Sequence, residues 1–135
     1  MIVDSSAILA ILNREPDAEL YDERIALAEN CRISAANLLE TAIVTESRGG
    51  PEAGNELDMF LESADIEVAP VTSSQVSTAR RAWRRFGKGR HRAALNFGDC
   101  FAYALSATTG EPLLFKGNDF THTDVNAALP SSETG

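Results

Sequence analysis

Cysteine is scarce: two residues in 135, Cys31 and Cys100. They cannot build a disulfide framework, and no close group of cysteines and histidines suggests zinc. Both read as small buried apolar residues, and a reducing, cytosolic compartment is the expectation. No apolar run approaches the roughly 20 residues of a membrane-spanning helix, so no membrane association is expected. The opening Met1-Ile2-Val3-Asp4 lacks the positive region and apolar stretch of a secretory signal. Positive charge is also in short supply. Twelve Lys and Arg face twenty Asp and Glu, a formal net charge of −8. That balance argues against a generic nucleic-acid coat, which works by releasing counterions.

What is present is the mix of a soluble globular chain, 44% apolar and 24% charged, long enough for one domain with its own core. The charge is unevenly spread. Between Val68 and Gly98 there is no Asp or Glu, while Arg80, Arg81, Arg84, Arg85, Lys88, Arg90 and Arg92 all fall there. A local anion-binding surface on an acidic protein is therefore one reading; a solvated helix face that balances acids elsewhere is the other.

The pattern of apolar residues alternates between short runs and helical spacing. Met1–Asp4, Cys31–Ser34, Ile66–Ala69 and Pro112–Lys116 read as short buried strands. Helical spacing follows at Ala7–Leu12, from Pro16 to about Asn30, and at Leu38–Ile43 with Ser34 or Asn37 as cap. It recurs from Glu52 to Ser63 after the Gly49-Gly50-Pro51 break, through Val76, Ala79 and Trp83, and from Asp99 as the opening cap to Ala107. Strands alternating with helices predict an α/β fold with a central parallel sheet of about four or five short strands and helices on both faces. One domain over residues 1–129 is expected, with a loose tail at 130–135.

In such a sheet, ligands gather at the carboxyl ends of the strands. Asp4 ends the first strand, Asp119 lies just past the fourth, Asp99 opens a helix on that edge, and Glu40 lies one turn into the helix after the second strand. Brought together, ionised carboxylates repel unless a cation neutralises them, and otherwise their pKa values rise. Hard oxygen ligands without a thiolate favour Mg²⁺ or Mn²⁺, and carboxylate-held ions of this kind are suited to phosphodiester hydrolysis. Taken singly, each acid also has a plain structural reading: Asp4 and Asp99 as caps, Glu40 as a solvated helix acid, Asp119 as a turn residue.

These segments together resemble PIN-domain ribonucleases, most closely the VapC-type toxins of bacterial toxin–antitoxin pairs. The resemblance rests on Met-Ile-Val-Asp-Ser-Ser-Ala-Ile-Leu at the start and on Glu40 in Ser-Ala-Ala-Asn-Leu-Leu-Glu-Thr-Ala-Ile-Val. It rests equally on Asn96-Phe97-Gly98-Asp99-Cys100-Phe101-Ala102-Tyr103-Ala104-Leu105, preceded by a Gly-Lys-Gly-Arg-His run, and on Leu113-Leu114-Phe115-Lys116-Gly117-Asn118-Asp119-Phe120 with Thr123-Asp124 after it. The pattern runs from Met1 to about Leu129. It implies a PIN-like domain and a metal-dependent endoribonuclease that hydrolyses RNA with a metal-activated water. It implies that Asp4 and Asp99 are the main ligands of one or two Mg²⁺ (or Mn²⁺) ions, that Glu40 completes the site or orients water, and that Asp119 is the fourth acid, with Asp124 able to share or replace it. Ser5, Ser6 and Asn118 are candidates for supporting contacts, with helix capping and turn formation as their plain alternatives. The family likeness further implies an antitoxin partner that fills the acidic cleft, to which an arginine is suited, and a homodimer. The helices from Pro16 to Asn30 and Pro51 to Ser63 are candidates for a groove or dimer face, or simply for the core.

On the RNA reading, Arg84, Arg85, Lys88 and Arg90 would hold phosphates. Trp83 suits a core or interface role ahead of base stacking; His91 and His122 read as surface or structural residues. Two other functions share part of the pattern. A haloacid-dehalogenase-like phosphatase also follows a first strand with Asp, yet it needs a second Asp where Ser6 stands. A non-enzymatic phosphoreceiver-like domain would use Lys116, yet it leaves Asp99 and Glu40 unexplained.

Overall fold

A computed structural model describes residues 1–89 and 91–129 of the chain. The expected tail at 130–135 and Arg90 lie outside them. In chain order the elements are β1 (Ile2–Val3), α1 (Ser5–Leu12), α2 (Ala18–Leu27), β2 (Cys31–Ser34), α3 (Ala35–Ser63), β3 (Ile66–Ala69), α4 (Ser73–Phe86), α5 (Phe97–Thr109) and β4 (Leu113–Leu114). The strands pair in parallel in the order β3-β2-β1-β4. Register is set by Ile2 opposite Arg32 and Leu113, and by Cys31 through Ser34 opposite Ile66 through Ala69. A single-residue bridge from Leu113 to Ala127 lets the segment after β4 extend the sheet without forming a full fifth strand.

The period-two alternation of a strand sends neighbouring residues to opposite faces. Ile2 and Leu113 meet Ala79, Ala82, Phe86, Ala102, Tyr103 and Leu105 from α4 and α5 on one face. Val3, Ile33, Ile66 and Leu114 meet Ala7, Ile8, Tyr21, Ile25, Leu57 and Leu61 from α1, α2 and α3 on the other. Both faces are thus covered, as parallel sheets require.

Several expectations need correcting in detail. The break at Gly49-Gly50-Pro51 is a kink within α3: Gly50 takes a non-helical conformation with φ 70°, open to glycine, and Pro51 begins a fresh helical run. Asp99 is not the N-cap of α5. Asn96 is, and Asp99 stands three residues later as the acid of a reciprocal capping box. Ser34, rather than Asn37, caps α3, accepting from the Ala36 N–H at 3.3 Å. Leu39 and Ile43 lie on the exposed side of α3, because its buried stripe runs through Asn37, Thr41 and Thr45 instead.

Candidate active site

β1 is flanked by β2 and β4, so the residue that follows it emerges at the middle of the carboxyl edge. That residue is Asp4. Its chain turns at once into α1, and Asp4 caps that helix: Oδ2 accepts from the Ser6 N–H at 3.0 Å and from the Ser6 hydroxyl at 2.6 Å. The Ser6 hydroxyl also accepts from the Lys116 N–H at 2.9 Å, which ties Asp4 to the end of β4. Glu40 reaches the same edge from α3, where its Oε1 accepts from the Ser5 hydroxyl at 2.8 Å and from Asn37 Nδ2 at 3.3 Å.

α5 brings the third acid. Asp99 Oδ2 accepts from the Asn96 N–H at 3.0 Å, while the Asp99 N–H donates to Asn96 Oδ1 at 2.9 Å. Gly98 makes room beside it. A Cβ there would collide with the Glu40 carboxylate, meeting its Cδ and Oε1 at 2.7 Å, so Glu40 lies flush against the first turn of α5.

The electrostatics follow from this packing. Asp4 and Asp99 are both buried. Burial pushes the Asp4 carboxyl up to about 6, against the donation from Ser6, and the charges of Glu40 and Asp119 add to the rise. Burial raises Asp99 still further, to about 8, helped by hydrogen bonding with Asp119 and by the charges of Asp4 and Asp119. Four acids from distant parts of the chain therefore feel one another at one edge of the sheet. Asp119 itself is exposed, in the turn after β4 together with Asn118.

Asp124 is placed elsewhere. It accepts from the Tyr103 hydroxyl and pairs with Arg85 at 3.3 Å on the outer side of α5. The Arg85 guanidinium also lies over the Phe86 ring, 4.7 Å from its centroid. Lys116 turns its ammonium to Glu15 and to Asp17 (3.0 Å). It does not hold the acids as a phosphoreceiver lysine would. His91 accepts from the Ala93 N–H at 3.0 Å and packs edge-on against Phe86, a structural role. His122 is exposed, and both cysteines are buried.

Beside the acids, α4 and α5 enclose an open apolar groove of about 570 Å³. Trp83, Phe97 and Phe101 line it, with Arg80 and Lys88 among its walls. Phe97 is 81% exposed, although it sits two residues from Asp99. The sequence shows no sign of this groove, and it offers Asn37 only as a helix cap and Asn96 only as part of a motif, not as partners of the acids; the Asn-x-x-Asp spacing of the capping box is the available signal for Asn96.

A PIN domain matches residues 1–126 of the chain. A ribonuclease VapC from Mycolicibacterium smegmatis is 53% identical over 127 residues, covering 94% of this chain and 98% of that protein. This chain belongs to the PIN-domain family, among the VapC-type ribonuclease toxins. Two solved VapC-type structures share the fold. Mycobacterium tuberculosis VapC20, described as a Sarcin-Ricin loop cleaving toxin, superposes with a TM-score of 0.74 at 20% identity, covering 92% of this chain and 95% of that one. VapBC2 from Rickettsia felis, bound to a promoter DNA fragment, gives 0.71 at 16% identity with 93% of each chain covered.

A divalent cation at this edge would be held by carboxylate side chains. Among the described residues no three such side chains stand as a ready-made ligand set. The donor chemistry nonetheless fits. Besides the Asp119 carboxyl beside Asp99, the groups that reach Asp4, Glu40 and Asp99 are hydroxyls, one amide and backbone N–H groups. None of these neutralises charge, and the raised carboxyls mark the negative charge that a hard cation would balance.

Proposed function

We propose that this PIN-domain toxin is a Mg²⁺- or Mn²⁺-dependent endoribonuclease whose ion is held by Asp4 and Asp99, with Glu40 and Asp119 completing the site. The observation that supports it most is the mutual electrostatic contact of these acids at the carboxyl edge of the sheet, where burial and repulsion raise Asp4 and Asp99 together. A bound divalent ion supplies charge for the phosphoryl oxygens and lowers the pKa of an attacking water.

The chain's own groups do the rest. Asp4 and Asp99 hold fixed positions because each is locked into a helix cap. Ser6 keeps Asp4 turned to the edge and links it to the Lys116 N–H. Glu40, steadied by Ser5 and Asn37, orients water or completes the ligand set. Asn118 lies in the turn that carries Asp119, where its amide supports a ligand carboxylate.

RNA reaches the acids across the basic surface of α4 and the loop after it. Arg84 and Lys88 hold phosphates there, Arg85 joins them once released from its exposed pair with Asp124, and Arg90, outside the described residues, is assigned the same role from the sequence. Asp124 serves as an alternative fourth acid only if that pair opens. The same negative edge receives an arginine of the cognate antitoxin, and the protein works as a homodimer in the cytoplasm.

The test is purified wild type against Asp4→Asn on a panel of structured RNAs, with Mg²⁺, with Mn²⁺ and with chelator, mapping the cut ends. Cleavage that needs the ion and Asp4 supports the reading. Cleavage that survives chelation or Asp4→Asn overturns it. A phosphoryl group trapped covalently on Asp4 would instead indicate phosphatase chemistry.

A further inference from the structure

Asn37 is fully buried in the first turn of α3, three residues before Glu40. An asparagine there can fold back to cap its own helix. Ser34 already performs that task, so the Asn37 side chain extends across to other elements. Its Nδ2 donates to the Gly98 carbonyl at 2.9 Å and to Glu40 Oε1 at 3.3 Å. Its backbone carbonyl accepts from Thr41 Oγ1 at 2.7 Å and lies 3.1 Å from the Ser5 hydroxyl, whose shorter contact is to Glu40.

The amide has one orientation that works. Both groups before Nδ2 are acceptors, so a flipped amide would set oxygen against oxygen. The working orientation leaves Oδ1 buried with no partner among the described residues. A buried unsatisfied acceptor is destabilising, and an apolar side chain of similar size would avoid it. The side chain therefore contributes something other than packing: it joins α3 to the turn of α5 that carries Asp99. It does so where Gly98, lacking a Cβ, lets the Glu40 carboxylate approach.

We propose that Asn37 is a positioning residue for Glu40, bridging it to the Gly98 carbonyl so that the Glu40 and Asp99 carboxylates face one divalent ion. This inference rests on the divalent-ion reading above. Its test is a double-mutant cycle on the full chain: wild type, Asn37→Leu, Glu40→Gln and the double variant, with Mn²⁺ affinity measured by titration calorimetry. Asn37→Leu is expected to weaken Mn²⁺ binding about tenfold when Glu40 is present, and less than twofold in the Glu40→Gln background. Asn37→Ala, carried in parallel, is expected to repeat the pattern with a lower melting temperature. Equal weakening in both backgrounds overturns the proposal, because a purely structural residue would act independently of Glu40. Unchanged Mn²⁺ affinity in folded Asn37→Leu overturns it too, as does failure of both variants to fold by circular dichroism. Wild type that binds no Mn²⁺ and cleaves no RNA overturns the underlying reading and this inference with it; wild-type binding with an additive cycle overturns this inference alone.

Discussion

The acidic edge and the basic surface of α4 are built on opposite rules. At the edge, Asp4 and Glu40 each accept from two groups and Asp99 accepts from the Asn96 N–H, and the donors belong to α1, α3 and the turn before α5. On α4 the arginines extend from a single helix into solvent, and Arg85 meets Asp124 through a half-exposed pair of small energetic weight. The first region places carboxyls where charge is costly and fixes their position within hydrogen-bond distances. The second collects charge where it costs little and leaves the position loose. Geometry therefore belongs to the acids, and long-range attraction belongs to the arginines.

The sharpest way to break this contrast is to neutralise an acid without changing its shape. Asp99→Asn should lower RNA cleavage by about a hundred- to a thousandfold. Circular dichroism should be unchanged, because an amide oxygen can still accept from the Asn96 N–H. Cleavage within tenfold of wild type would remove Asp99 from the chemistry. Gly98→Ala comes next. The added methyl must displace the Glu40 carboxylate, the mobile end of a side chain, so the protein should fold while cleavage falls at least tenfold. Wild-type rates would show that Glu40 need not lie against α5.

The pH dependence of stability probes the same region. Asp4 and Asp99 hold their protons to about 6 and about 8 in the fold, against 3.8 for the ordinary group. Between those limits the folded state binds more protons than the unfolded one, so stability falls as pH rises and levels off above about pH 8. The melting temperature without metal should therefore drop from pH 5 to pH 8. Mn²⁺ should raise it more at pH 8, and Asp99→Asn should flatten the slope. A flat wild-type profile would contradict the crowding of charge at the edge. The smallest effect belongs to α4. Lys88→Ala or Arg84→Ala should weaken RNA binding only a few-fold and reduce the slope of log affinity against log salt by about one. An unchanged salt slope would place the RNA elsewhere.

These two regions were also unequally legible from sequence. Asp4 and Glu40 follow strands, so their edge can be read from the strand–helix alternation alone. The acid-free basic stretch needs only composition. Asn37 could not be read this way, because an asparagine at the start of a helix looks like a cap until Ser34 is seen capping. Asp99 looked like a cap for the same reason, and only the reciprocal bonds with Asn96 move it inside the helix. Asp119 and Asp124 both follow β4, and the sequence does not separate them, because Tyr103 and Arg85 meet Asp124 across 21 and 39 residues of chain. The exposed Leu39 and Ile43 were unreadable too, since apolar periodicity does not say which stripe of α3 faces the sheet.

The strand that carries Asp4 is completed by a neighbour from the far end of the chain. β1 pairs with Leu113–Leu114, and the hydroxyl that steadies Asp4 takes its own donor from Lys116. A ribosome making this protein must therefore place more than a hundred further residues after Asp4, and let them leave the exit tunnel, before the acids can assemble. Fragments that stop short of β4 lack the strand that flanks β1 on one side and the N–H that holds the Ser6 hydroxyl.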